Sequence, residues 1–235
     1  MTTFAVLFFA HVIADYVFQT KAMVERKREI GMLLLHTGIV TATAYAALGR
    51  VDTWIPLAVG ATHFVVDVIK SRLPTSLWAY LADQAAHVAT VAVAGWYAPT
   101  LFEGSIYPVE TATVMFVVAS LLFATRAGGF AVALLMDRFE LDRLPASLRD
   151  GGFWIGNLER AIIFLFIFAG QPAGIGFLIA AKSILRFDSI SGDSRVAEYV
   201  IIGTLASFGW AMAVTWGALE ILPYLPPLGF VPPGS

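Results

Sequence analysis

Eight apolar stretches follow one another along the chain, at roughly 3–20, 30–49, 54–70, 76–98, 111–136, 152–170, 174–187 and 196–222. A helix crosses the hydrocarbon core of a bilayer with about 20 apolar residues, and most of these stretches come close to that length. The seventh is short and the third marginal. The fifth is long and holds Arg126, Gly128 and Gly129, a place for a break or kink. Composition points the same way. Hydrophobic residues make up 58% of the chain and charged residues only 14%, against about a quarter charged in soluble domains. A soluble fold of this size could not hide so much apolar surface. The fold expected is therefore an all-α polytopic membrane protein with about eight transmembrane helices. The first stretch reads as a span and not a leader, because no basic segment precedes it and it carries His11 and Asp15.

Basic residues set the orientation. Lys21, Arg26, Lys27 and Arg28 lie in the first loop, Lys70 and Arg72 in the third, Arg138, Arg143 and Arg149 in the fifth, and Arg186 and Arg195 in the seventh. The even-numbered loops hold only Arg50. The odd loops are then cytoplasmic and both termini outside, which implies a bacterial inner (plasma) membrane and multi-pass topology. The net charge of −2 says nothing about partners, and no nucleic-acid partner is indicated. The absence of cysteine excludes thiol catalysis, Cys-ligated zinc and iron–sulfur clusters. The loop near 99–110 divides a His-bearing half, 1–98, from a second half, 99–222. A Pro-rich tail, 223–235, follows.

Each of the first four stretches contains one histidine: His11, His36, His63 and His87. Three have an aspartate four residues away, as His11/Asp15, His63/Asp67 and Asp83/His87. Positions i and i+4 share one face of a helix. The first and third helices run inward and read His-x-x-x-Asp, whereas the fourth runs outward and reads Asp-x-x-x-His. Direction and order reverse together, so every aspartate lies on the cytoplasmic side and its histidine one turn deeper. At about 1.5 Å per residue all seven groups fall about 5–16 Å from the cytoplasmic ends of their helices. His11-Val-Ile-Ala-Asp15 also resembles His63-Phe-Val-Val-Asp67, as if the first two hairpins were copies related by an axis along the membrane normal.

Ionisable groups in hydrocarbon are costly and usually functional. A divalent transition metal removes the cost by making each carboxylate and imidazole a ligand, and His11, Asp15, His36, His63, Asp67, Asp83 and His87 could serve one or two such ions. Zinc, iron, manganese and nickel all suit this donor set. Two other readings stay open: interhelical hydrogen bonds that hold a bundle together, and a proton or ion relay. Gln19 and Gln84 are placed to donate to the ligands, and Gln19 serves equally as an interfacial polar residue. Lys70 and Arg72 read as topology signals and headgroup contacts. In the second half the charges within spans are Glu159, Arg160, Lys182, Arg186 and Glu198. Lys182, Arg186 or Arg160 would bind the anionic part of a substrate, or the charges form two ion pairs, Glu159 with Lys182 and Glu198 with Arg186.

The run His11-x-x-x-Asp15-Tyr16-x-x-Gln19, His36-Thr37, His63-x-x-x-Asp67-x-x-Lys70 and Asp83-Gln84-x-x-His87 resembles the bacterial membrane family catalogued as domain of unknown function 3307. Ile155-Gly156-x-x-Glu159-Arg160, Lys182-Ser183-x-x-Arg186-Phe187, Glu198-Tyr199 and Gly203-Thr204 resemble its longer members. The family name implies no activity. A more distant likeness, through His/Asp-rich membrane helices alone, is to membrane-bound metal-dependent hydrolases. The leading expectation is a metal-dependent hydrolase acting on a lipid-linked or amphiphilic (phospho)ester, its partner the membrane lipid itself. A metal-ion or proton transporter using the same cluster is the first alternative, and a haem-binding redox protein the second.

Overall fold

The computed structural model describes residues 1–139, 150–190 and 194–228, with 185–190 described as backbone only. Arg143, Arg149, the Arg186 side chain and the tail from 229 onward lie outside the described residues. Every regular element among the described residues is helical. Helix α1 (Thr2–Ile13) runs into a π turn, Ala14–Phe18. A short helix α2 (Lys21–Glu25) follows, then α3 (Ile30–Leu48), α4 (Ile55–Lys70) and α5 (Leu77–Tyr97). Helix α6 (Thr111–Leu122) passes through a second π turn, Phe123–Ala127, into α7 (Gly128–Met136). Helices α8 (Gly151–Phe168), α9 (Gly174–Ile190) and α10 (Ser194–Ile221) complete the chain. The fifth apolar stretch is thus a run of helix with a π turn beside Arg126.

Local chemistry explains the boundaries. The Thr20 side chain accepts from the Met23 amide at the start of α2, and Ser76 accepts from the Ala79 amide at the start of α5. Helix α3 ends on Gly49 at φ +62°, where the absence of a Cβ permits the left-handed turn.

Among the described residues, four helical stretches are long and apolar enough to cross a membrane: Ile30–Leu48, Thr111–Met136, Gly151–Phe168 and Ser194–Tyr224. Thr2–Phe18 and Gly174–Ile184 are apolar but shorter. Helices α4 and α5 are not among the four. The first has 16 residues, and both spend positions on His, Asp, Lys or Gln that lower their mean hydropathy.

The chain forms two compact units, Met1–Ala119 with Ile221–Ser235, and Ser120–Glu220. In the first, α1 packs on α3 and α5, and α4 packs on the same two helices. The four form a ring with α1 and α4 across from one another. Two glycines permit the close approach. A Cβ at Gly60 would lie 2.1 Å from Thr41 Oγ1 of α3, and one at Gly95 would lie 2.9 Å from the backbone of Phe4 in α1. Thr3 pins the loop after α5, donating to the Pro99 carbonyl and accepting from the Phe102 amide. Val6, Val12, Val40, Val59 and Val91 fill the interior, while Leu34, Leu35, Leu57, Val65 and Val93 face outward. Polar groups inside and apolar groups outside reverse the pattern of a soluble bundle and suit a lipid surround. In the second unit α8 packs on the π turn, α7 and α9, around a core of Ile163, Ile167, Ile175, Phe208 and Ala211.

Candidate metal centre

The ring brings all seven of the His and Asp side chains together. His11, His36, His63, Asp83 and His87 are buried, while Asp15 and Asp67 keep 10% and 17% of their side-chain surface exposed. Two groups of ligand atoms form. In the first, Asp15 Oδ1 lies 3.3 Å from His36 Nε2 and 3.6 Å from His63 Nε2, and the two nitrogens are 3.1 Å apart. In the second, Asp83 Oδ1 lies 3.4 Å from His87 Nε2, which is 3.7 Å from Asp67 Oδ1. Asp67 touches both groups, because its other oxygen, Oδ2, lies 3.4 Å from His63 Nε2 and 3.8 Å from His36 Nε2. His11, His63 and His87 form a third triad, and the His63 and His87 rings stack at 3.9 Å.

These separations carry chemical information. Ligands bound tetrahedrally at about 2.1 Å stand about 3.4 Å from each other. Asp15, His36 and His63 have about that spacing from one another, and so has Asp67 Oδ2 from the two imidazoles. As hydrogen bonds most of the contacts are poor, for His11 Nδ1, Asp15 Oδ1, Asp83 Oδ1 and His87 Nε2 are buried with no hydrogen-bond partner among the described residues. Buried polar atoms are nearly always paired. They fall in two pairs, His11 Nδ1 3.8 Å from Asp15 Oδ1 and Asp83 Oδ1 3.4 Å from His87 Nε2, and a cation would satisfy either pair. These groups could hold a metal ion.

The π turn matters here. It places Asp15 in a wound segment one residue wider than an α turn, and such bulges commonly re-aim side chains at functional sites. Gln84 serves two ligands at once, with Oε1 3.4 Å from His11 Nε2 and its amide donating to Asp83 Oδ2. Gln19 sits just past the π turn in extended backbone and makes no hydrogen bond to the cluster among the described residues.

Three participants escape a reading of the sequence. The Lys70 ammonium donates to Asp83 Oδ2 and lies 5.3 Å above the Tyr80 ring, so it belongs to the site as well as to the basic loop. The hydroxyls of Tyr16 and Tyr80 meet at 2.6 Å. Tyr16 and Lys70 stand in the family-like motifs without a sign of their partners, and Tyr80 is marked only by lying three residues before Asp83.

In the second unit Lys182 Nζ lies 2.7 Å from Glu159 Oε2, which forms the first of the two expected ion pairs. Glu198 is exposed. Arg160 is buried and donates to the Thr125 carbonyl, to Ser207 Oγ and to Asn157 Oδ1.

Fold and site together define an α-helical protein with helices long and apolar enough to cross a membrane and a buried cluster of imidazoles and carboxylates in its first unit. Residues 3–115, which contain that whole cluster, match the model of the family described as "Protein of unknown function (DUF3307)". The motifs around Glu159, Lys182 and Glu198 lie beyond the matched residues. No match to the chain was found among curated proteins or among solved structures.

Proposed function

We propose that the chain is a multi-pass protein of a bacterial inner membrane, with about eight crossings and both termini outside, that hydrolyses a phosphoester or related ester of an amphiphile at an intramembrane metal centre. The observation that carries this reading is the gathering of buried carboxylate oxygens and imidazole nitrogens at metal-ligand spacing, with Asp15 Oδ1, Asp83 Oδ1 and His87 Nε2 lacking hydrogen-bond partners among the described residues. A divalent ion there supplies Lewis acidity toward water and the scissile group. The chain's own residues do the rest. Asp67 spans the two ligand groups and fixes their separation. Lys70 holds one oxygen of Asp83, which aims the other inward and offsets the negative charge of three carboxylates. Gln84 fixes the orientation of His11 and Asp83 together.

Access distinguishes an enzyme from a conduit. Asp15, Asp67 and Lys70 each retain some exposed side-chain surface, which we take as the open side of the centre. Beyond the imidazoles lies a pocket of about 10 Å³, walled by Leu7, Val40, Ala44, Val59 and Val91, room for about one water. One open side suits a substrate that arrives and leaves by the same leaflet. Crowding of the four imidazole rings, with centroids 3.9–5.8 Å apart where they touch, works against a porphyrin between them. The test is hydrolysis of lipid-linked phosphoesters in mixed micelles by metal-loaded and chelator-stripped protein. Turnover that needs the metal and disappears in Asp67→Asn supports the reading. Metal flux across proteoliposomes with no turnover overturns it in favour of a transporter.

A further inference from the structure

Arg160 presents a separate problem, independent of the metal centre. Its side chain is 3% exposed, yet no carboxylate among the described residues lies within 4.0 Å of the guanidinium. Neighbouring Glu159 is taken by Lys182. The acceptors that Arg160 does have are neutral: the Thr125 carbonyl and Ser207 Oγ, each at 2.9 Å, and Asn157 Oδ1 at 3.4 Å. A buried charge without a counter-charge is costly. The guanidinium carries five N–H donors; those three contacts engage one each and leave two.

Space for the counter-ion lies beside it. A cavity of about 400 Å³ is lined by Arg160, Lys182, Glu159 and Ser207 and by residues of α7, α8 and α10. Glycines clear the ground around the guanidinium: a Cβ at Gly129 would meet Arg160 Nη2 at 3.1 Å, and one at Gly156 would meet Nη1 at 3.0 Å. Most of the rest of the wall is apolar, with Val132, Ala133, Met136, Ile155 and Val200, while Tyr199 and Thr204 add two hydroxyls. Arg160 and Lys182 against Glu159 leave one net positive charge at the polar end. The volume is that of a small-molecule site.

We infer that this cavity binds a singly charged oxyanion carried on an acyl chain, a carboxylate or phosphodiester amphiphile, with the head on the free N–H groups of Arg160 and the chain along α7 and α10. A planar guanidinium with two N–H groups to spare matches the two oxygens of either head. The apolar wall sets the preference for an amphiphile over a free anion.

The full chain in detergent is titrated with a fluorescently labelled hexadecanoate, with acetate and inorganic phosphate as competitors, and native mass spectrometry reads co-purified anionic lipid. Two variants are compared. Arg160→Gln removes the charge. Gly203→Val narrows the cavity without touching a charged group, since a Cβ there meets only the Met136 side chain at 3.4 Å, ordinary contact. Expected is saturable binding by the wild type, weakened about tenfold or more in both variants, that is at least 1.4 kcal/mol, with acetate and phosphate unable to displace the probe at equal concentration. Metal content stays unchanged, which separates failure here from failure of the metal reading. Should Arg160→Gln not insert, Gly203→Val decides. Wild-type affinity in Gly203→Val, no saturable binding by the wild type, or displacement by acetate or phosphate as effective as by hexadecanoate overturns the inference.

Discussion

Removing the Lys182 ammonium should destabilise the second unit far more than removing an ordinary surface charge. Lys182 Nζ and Glu159 Oε2 are 2.7 Å apart, with 16% and 9% of their side chains exposed. At an effective dielectric of about 20 their attraction is about 6 kcal/mol. Desolvating two charges costs several kcal/mol each, so the intact pair contributes little net stability. Breaking it is different, because Lys182→Ala leaves a carboxylate that is 7% exposed without its cation, at a cost of about 3–5 kcal/mol. Lys182→Ala should therefore lower the melting temperature in detergent by about 6–20 °C, at about 2–4 °C per kcal/mol for a chain of this size. The double variant Glu159→Gln/Lys182→Met should recover most of the loss, since neither residue is then charged. Thermal unfolding followed by intrinsic fluorescence (Trp154, Trp210 and Trp216 lie in this unit) compares wild type, Lys182→Ala and the double variant. A Lys182→Ala shift under about 2 °C, or a double variant no more stable than the single, refutes the reasoning.

The first unit offers three more tests. His63→Ala and Asp67→Asn should each lose most bound metal yet still insert; elemental analysis of purified variants reads this, and Asp67→Asn keeps size and hydrogen bonding while removing the charge a dication requires. Gly95→Ala should destabilise by about 1–3 kcal/mol, the usual cost of overpacking, because the new methyl meets the Phe4 backbone, which cannot swing aside; a melting temperature equal to wild type would contradict the close packing of α1 and α5. Cysteines introduced at Lys27 and Glu103 should be labelled from the cytoplasmic and the outer side respectively, and a Lys27 site labelled only from outside would reverse the proposed orientation.

The cluster was legible in the sequence because it obeys helix geometry. His11/Asp15, His63/Asp67 and Asp83/His87 announce shared faces by their spacing, and the reversed order on the fourth helix places them at one depth. His36, with no partner in its own helix, is brought in by its depth alone, and the structure seats its Nε2 3.1 Å from that of His63. What stayed hidden depends on contacts between helices. Lys70 looks like one more loop cation until α5 brings Asp83 to it, and Tyr16 and Tyr80 are 64 residues apart in sequence. The π turn at Ala14–Phe18 has no local signature, because its stability comes from the helices packed around it. Arg126, Gly128 and Gly129 suggested a kink, and the structure resolves it as a π turn whose Thr125 carbonyl accepts from Arg160. The number of crossings is the least legible feature: the ligands that give the front helices their chemistry also dilute the apolar character by which a span is recognised.

The central claim is that a metal ion joins the four front helices. Elemental analysis of the purified, metal-loaded chain, with X-ray absorption on the same sample, tests it most directly. Expected are one to two transition-metal ions per chain, bound by nitrogen and oxygen at about 2.0–2.2 Å, and loss of most of that metal in Asp67→Asn and Asp83→Asn. Less than one ion per chain after loading, or full occupancy in both variants, would contradict it, and the cluster would then be a set of polar contacts between helices.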